Sequence, residues 1–373
     1  MDIHEATPLL GGISPDDFMR RHWQKKPLLI RQAVPGGIEL ISRRALFDLA
    51  ARDDVESRLV RRDGARWQLR HGPLKRLPPL REAHWTLLVQ GLDLHLDAAA
   101  ELLARFRFVP DARLDDVMVS YASNAGGVGP HVDSYDVFLL QTMGRRRWRI
   151  ARGGARAPLR DDVPLKILAR FEPEQEWLLE PGDMLYLPPG WAHDGTAEGE
   201  CMTASIGFRA PARDGLAHEV LQRALDTAAM PERDTLYRDP HQRATDEPGR
   251  IGPELQAFAA DALARRLADR EALACALGEL LTEPKPQVVF EADESRLGAA
   301  AIRLDRRSRM MYDAQFVYLN GESFRAAGRD ARLMRRLADQ RALSAAEVAR
   351  LSAGAHALVG EWLAAGWLRP HDV

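Results

Sequence analysis

Cysteine is almost missing from this chain: among 373 residues only Cys201 and Cys275 are thiols, far apart in sequence. That excludes a disulfide framework and a cysteine-based metal cluster. Long apolar runs are missing as well. No stretch approaches the roughly 18 consecutive apolar residues that a membrane-spanning helix needs, so no membrane role is expected. The start, Met1-Asp2-Ile3-His4-Glu5, has no basic segment leading into an apolar one, and a cytoplasmic location is expected. There is no excess of one charge either, with 52 Lys and Arg against 54 Asp and Glu. Direct nucleic-acid binding is therefore not expected from the global field, and such a role would need a local patch. Internal repeats and low-complexity tracts are lacking too. What remains is 46% apolar and 28% charged, the composition of a soluble globular protein, at a length that suits two or three domains. Arginine far outnumbers lysine, which reads as compositional bias.

The texture along the chain changes twice. The first fifty residues predict a helix from Asp16 and a strand over Lys26-Pro27-Leu28-Leu29-Ile30-Arg31. Residues 81–107 carry Leu87, Leu88, Leu92, Leu102, Leu103 and Phe106 at helical spacing and predict one or two amphipathic helices. From Asp115 to Arg209 short β-rich runs lie between Gly and Pro punctuation, over residues 117–121, 135–140, 147–150, 184–187 and 203–208. That pattern predicts a β-sandwich or jelly roll. Helices follow over 215–229 and 253–281, with a polar loop between them. The end of the chain predicts strands near 302–304 and 316–319, a hairpin turn at Asn320-Gly321, and helices near 329–340 and 344–366. Strands beside two or three helices suit a winged-helix-like module.

His131-Val132-Asp133 carries the chemistry. Alone the pair means little, because about 1.6 His-x-acid matches arise by chance at this composition. Two occur, the second being His95-Leu96-Asp97. On a strand, residues i and i+2 share a face and can converge on one ion. His95 and Asp97 lie in helix-like sequence, where such residues point apart. A third ligand comes from Glu180-Pro181-Gly182-Asp183, a short strand, then Pro188-Pro189-Gly190-Trp191-Ala192-His193. Two stiff corners deliver His193 to the lip of the sheet. Two imidazoles and a carboxylate leave three coordination positions open, which is the facial triad of non-haem Fe(II) oxygenases. Zinc can take the same donors, but its usual setting is a helix.

A 2-oxo acid co-substrate also needs a cation for its far carboxylate. Gly144-Arg145-Arg146-Arg147-Trp148 supplies three arginines, and alternation turns Arg146 one way and its neighbours the other. The glycines of residues 126–129 resemble a phosphate loop only superficially and read as a flexible loop at the rim of the pocket. Tyr135, on the face of His131 and Asp133, and Asp136 are candidates for contact with substrate.

Taken together, Gly129-Pro130-His131-Val132-Asp133-Ser134-Tyr135-Asp136-Val137-Phe138, the arginine run, and Pro181 through His193 resemble the JmjC-type ribosomal oxygenases. Within that family the likeness is to the bacterial protein-arginine hydroxylases. Trp23-Gln24-Lys25-Lys26-Pro27 and Ser205-Ile206-Gly207-Phe208-Arg209 add to it, so that the resemblance covers about residues 15 to 210. The resemblance implies an α+β chain: a double-stranded β-helix (the cupin or JmjC jelly roll) over residues 1–209, a helical dimerisation region over 210–281, and a winged-helix-like domain over 282–373. It further implies that His131, Asp133 and His193 hold Fe(II), with no catalytic residue beyond the metal centre. Arg146, helped by Ser120, grips 2-oxoglutarate. Where family members carry Asn late in the sheet this chain has Thr203, a third candidate for substrate contact. The implied substrate is an arginine of large-subunit ribosomal protein sixteen, hydroxylated at the β-carbon, and the implied assembly is a homodimer.

Two other readings compete. The same centre can serve a demethylase acting on an N-methyl group. Alternatively, a cupin-type regulator without catalysis would bind DNA through the winged helix, using Arg329, Arg332, Arg335 and Arg336.

Overall fold

The computed structural model describes residues 2–153, 157–226, 235–241, 243–244, 249–292 and 300–371. The chain divides into two units, Met1–Ala210 with Pro286–Val289, and Pro211–Lys285 with Phe290–Val373.

The first unit opens with α1 (Pro15–Arg21), where the Ser14 hydroxyl accepts from the Asp17 amide and Pro15 takes the first helical position. Then come β1 (Leu28–Ile30), α2 (Arg43–Ala50), β2 (Ser57–Asp63), β3 (Arg66–His71), β4 (Trp85–Val89) and α3 (Asp97–Ala104). The jelly-roll strands follow: β5 (Leu114–Ala122), β6 (His131–Val132), β7 (Val137–Arg152), β8 (Gln175–Leu179), β9 (Met184–Leu187) and β10 (Trp191–Phe208). Hydrogen bonding orders them β1-β9-β7-β10-β5-β4-β2-β3, with β6 on β10 and β8 on β7.

Several expectations change here. Residues 85–89 form a strand and not part of a helix. β4 pairs with β2 and β5 and is buried at four of its five positions, so its sequence is nearly all apolar, a pattern that periodicity alone does not separate from a buried helix. The runs 135–140 and 147–150 belong to one 16-residue strand that starts only at Val137. It continues through Gly144, whose φ of +61° and close approach to the Glu200 carbonyl admit no side chain. His193 likewise sits inside a strand, the 18-residue β10. Alternation along β7 feeds two cores: Phe138 and Leu140 join the large cluster with Phe18, Tyr186 and Phe208, whereas Val137, Leu139, Trp148 and Ile150 join Leu179, Leu185 and Leu187.

The second unit contains α4 (Arg213–Asp226), α5 (Pro253–Ala268), α6 (Arg270–Thr282), β11 (Ala301–Leu304), β12 (Met310–Tyr312), β13 (Phe316–Leu319), β14 (Glu322–Arg325), α7 (Gly328–Gln340), β15 (Ala342–Leu343), α8 (Ala345–Val348), α9 (Ala353–Ala364) and β16 (Leu368–His371). The end of the helix expected over 215–229, and most of the loop after it, lie outside the described residues. The helix expected over 253–281 is two helices. Asp269 leaves helical geometry with a ψ of 85°, and its carboxylate accepts from the Ala272 amide to start α6. Asn320-Gly321 does turn β13 into β14, both residues having positive φ. Gly278 of α6 lies against the Tyr318 ring of β13, where a β-carbon would come within 2.3 Å. Helix α6 therefore packs on the hairpin. Of the four arginines considered for DNA, Arg335 donates to the Ala314 carbonyl and stacks over Tyr312, and Arg336 pairs with Glu347. Half of that basic face is committed within the fold, which removes the main support for the regulator reading.

Candidate metal centre

Strand β6 pairs antiparallel with β10 so that His131 lies directly opposite His193. Residues opposite each other share a sheet face, and the two imidazoles stand 4.2 Å apart between ring centroids. Asp133, one residue past the end of β6, brings its carboxylate 3.9 Å from His131 Nε2 and 3.6 Å from His193 Nε2. One donor atom from each residue lies within 4.8 Å of the others, the only such group of three or more ligand-type residues among the described residues.

The tautomers follow from the hydrogen bonds. Nδ1 of His131 is 2.9 Å from the Gly129 carbonyl, and Nδ1 of His193 is 3.0 Å from the Trp191 carbonyl. A carbonyl only accepts, so both Nδ1 atoms carry a hydrogen and Nε2 is the ring atom of each that could ligate a metal. Burial, reinforced by the neighbouring His131 and opposed by Asp133, lowers the His193 pKa to about 4. His193 is thus neutral and ready to donate to a cation. Gly195 keeps β10 open beside it, because a β-carbon there would reach within 2.7 Å of the Trp148 ring. The loop before His131 is tied down and not a free rim: Ala125 donates to the Ala197 carbonyl, and Ala197 donates back to Gly126.

Arg146 pairs with Ala197 in the β7–β10 ladder, and Ile150 pairs with His193. Alternation holds as expected: Arg145 is exposed, and Arg147 is bound to Glu198 and Glu176. Arg146 is 5% exposed and makes no ion pair among the described residues. Its Nη1 donates to Ser120 Oγ at 3.1 Å and Thr203 Oγ1 at 3.2 Å, while Nε is buried without a partner. Trp148, next on the same face, lies under the Arg146 guanidinium and packs at a tilt against His193, and its buried Nε1 is without a partner. A buried guanidinium with no anion is costly. A ligand carboxylate would answer that charge, so Arg146 with Ser120 and Thr203 fits one end of a 2-oxo diacid, and the triad fits a divalent metal.

The expected substrate residues divide. Tyr135 lies in a bend and not on the β6 face, 40% exposed, and burial of its hydroxyl end together with the Asp133 charge pushes its pKa up. It stays at the rim. Asp136 does not: it is fully buried, accepts hydrogen bonds from Tyr186 and Gln24, and lies near Arg113. Burial raises its pKa despite those partners. Its place is in the aromatic core, out of a substrate's reach. Thr203 is also fully buried and belongs to the arginine cradle. Sequence reasoning missed Gln141, which accepts the Thr203 hydroxyl hydrogen at 2.9 Å and donates to the Met143 carbonyl at 2.8 Å. The only signal was a polar residue closing the run Val137-Phe138-Leu139-Leu140. His95 ends a short 3-10 turn and Asp97 begins α3, so the second His-x-Asp pair is split between elements.

Comparison with known proteins agrees with this architecture. Residues 101–216 match a JmjC domain, and residues 265–369 match a ROXA-like winged helix. The chain is 34% identical to the Escherichia coli ribosomal protein uL16 3-hydroxylase over 84% of its own length and 86% of that protein. An X-ray structure of E. coli ycfD superposes with a TM-score of 0.82 at 30% identity, covering 95% of this chain and 97% of that one. A structure of the same ribosomal oxygenase in complex with cobalt and 2-oxoglutarate superposes with a TM-score of 0.78 at 30% identity, over 95% and 97% of the two chains. On this likeness, together with the jelly roll, the winged helix and the His-Asp-His cluster, the chain belongs to the JmjC-type ribosomal oxygenases.

Proposed function

We propose that this protein is an Fe(II)- and 2-oxoglutarate-dependent oxygenase that hydroxylates the β-carbon of an arginine in large-subunit ribosomal protein uL16. The observation that carries the reading is a two-histidine, one-carboxylate cluster whose His193 lies on the same β7–β10 ladder as a buried arginine that has no ion pair among the described residues. His131, Asp133 and His193 are the proposed iron ligands. Bound Fe(II) and 2-oxoglutarate would let O2 serve as the oxidant, one oxygen atom ending in the new C–OH group and the other in succinate, with CO2 released from 2-oxoglutarate. The chain's own work is placement. The Gly129 and Trp191 carbonyls hold the imidazoles in the ligating tautomer. Arg146, steadied by Ser120 and Thr203, is the proposed anchor for the far carboxylate of the diacid. The apolar cluster around Trp148, Leu179 and Leu185 keeps water from the buried side of the site. Tyr135 is the proposed rim contact for the substrate side chain.

The test is anaerobic loading with Fe(II) and 2-oxoglutarate, addition of ribosomal proteins and O2, and mass spectrometry. Gain of one oxygen atom on an arginine of uL16 is expected. Loss of a methyl carbon with formaldehyde release would indicate a demethylase instead, and an unchanged protein with no succinate would overturn the reading.

The assembly is proposed to be a homodimer formed through the helices of 210–281, with residues 1–209 and 282–373 as the catalytic and winged-helix-like regions. In support, α5 buries none of its residues within the chain and exposes Leu255, Leu263 and Leu267, a stripe that a second copy would cover. No helix among the described residues is long and apolar enough to cross a membrane, and residence in the cytoplasm, where ribosomal proteins are met, completes the reading.

A further inference from the structure

The charge of this chain is unevenly distributed. Between Ser57 and Glu82 there are eight arginines and lysines against two acids, a net charge of +6 in a protein whose total is −2. These residues form the β2–β3 hairpin and the segment returning from it to β4, and β3 is the last strand of the sheet. Arg66 and Arg70 alternate on one exposed face of β3. Lys75, Arg76 and Arg81 follow, also exposed, and none of the five has an ion pair or side-chain hydrogen bond among the described residues. Edge strands often carry a charge or two that block pairing with another sheet. Five uncompensated cations, three of them beyond the strand, exceed that need.

The other face of the hairpin leads to the metal centre. The Trp67 ring lies against Gly129, where a β-carbon would be 3.2 Å from it, and Gly129 supplies the carbonyl that orients His131. The Arg62 guanidinium stands over the same indole at 5.7 Å. A basic strip therefore runs up to an aromatic side chain packed on the loop that orients His131.

We propose that this hairpin binds RNA next to the substrate. This role rests on the ribosomal-protein reading above, because such a substrate is met among RNA phosphates. Guanidinium forks match phosphate oxygens with paired hydrogen bonds, and the planar Arg62 guanidinium over the partly exposed Trp67 indole offers a stacking surface for an unpaired base. A lipid surface fits less well, since Leu80 is the one large apolar side chain exposed in the segment.

The test uses the full chain without metal, 2-oxoglutarate or peptide, so that it stands or falls apart from catalysis. Fluorescence anisotropy follows a labelled 20-nucleotide single-stranded RNA across a salt series, with wild type and the variant Arg66→Gln/Arg70→Gln/Lys75→Gln/Arg76→Gln/Arg81→Gln. Binding by wild type is expected to weaken steeply with salt. The variant is expected to bind at least tenfold more weakly, with a log–log salt slope shallower by up to about 3.5, roughly 0.7 for each lost phosphate contact. Should the fivefold variant lose its folded circular dichroism, Arg66→Gln/Arg70→Gln is compared instead, with up to about 1.4 of slope at stake. No binding by wild type, equal binding by the variant, or displacement of RNA by polyglutamate or phosphatidylglycerol vesicles at matched charge would overturn the proposal.

Discussion

The hydroxyl of Thr203 is turned so that it can only accept from Arg146, because its own hydrogen is given to Gln141. Gln141 in turn is held by the Met143 carbonyl, so a backbone group at the bend of β7 sets the polarity of the chain leading to the guanidinium. Both Nη1 hydrogens of Arg146 are thereby occupied, leaving the rest of the fork for a ligand. Thr203→Val keeps the shape and removes the acceptor. A hydrogen bond to a charged group contributes about 1.5–3 kcal/mol, so the KM for 2-oxoglutarate is expected to rise about 10- to 100-fold with a smaller fall in kcat. Gln141→Leu should shift KM the same way by less. Succinate formation against co-substrate concentration measures both, and an unchanged KM in Thr203→Val would contradict the assignment.

Alanine at His131, Asp133 or His193 is expected to abolish peptide-dependent succinate formation while the protein stays folded. Chelation of wild type should lower its thermal midpoint, since a ligand at a hundred times its Kd stabilises by about 2.7 kcal/mol. A midpoint indifferent to both Fe(II) and chelator would argue against a metal at this cluster.

His193 gives the metal-free protein a defined pH response. In the unfolded chain its imidazole takes a proton near its ordinary pKa of 6.5, whereas in the folded protein it resists until about 4. The unfolded state therefore binds more protons in that window. The corresponding stability is fully present above about 6.5 and is lost as pH falls towards 4. Thermal midpoints from pH 7.5 to 4 should drop more steeply in wild type than in His193→Gln, and parallel curves would refute the assignment.

Gly195→Ala tests packing. The added methyl would meet the Trp148 ring at 2.7 Å, with β10 paired to β7 at that position. Overpacking of this kind costs about 1–3 kcal/mol, read as a lowered denaturant midpoint with an unchanged slope.

The proposed dimer predicts that Leu263→Asp/Leu267→Asp yields a monomer by light scattering. A wild type that is itself monomeric would remove the assembly claim.

The metal site was more legible than the fold around it. His131 and Asp133 announce themselves by spacing, and Pro188-Pro189-Gly190 announces a rigid delivery of His193, because these are local rules of backbone geometry. The pairing of β6 with β10 is not local, and no pattern within either strand reveals that His131 faces His193. Asp136 was misread for the same reason: the partners that bury it, Gln24 and Tyr186, come from distant parts of the sequence. The hairpin β2–β3 escaped notice because an edge strand with arginines on its outer face lacks an apolar stripe, and β4 because a short strand buried at four of its five positions lacks alternation.

The long pairing of β7 with β10 has a metrical consequence. His193 and the partner of Arg146, Ala197, lie four residues apart on a single strand, roughly 13 Å at the usual rise. Two hydrogen-bonded strands cannot stretch or shorten that interval without breaking their ladder. On the proposed reading, a co-substrate held at both the triad and Arg146 is measured against an interval that this ladder keeps fixed.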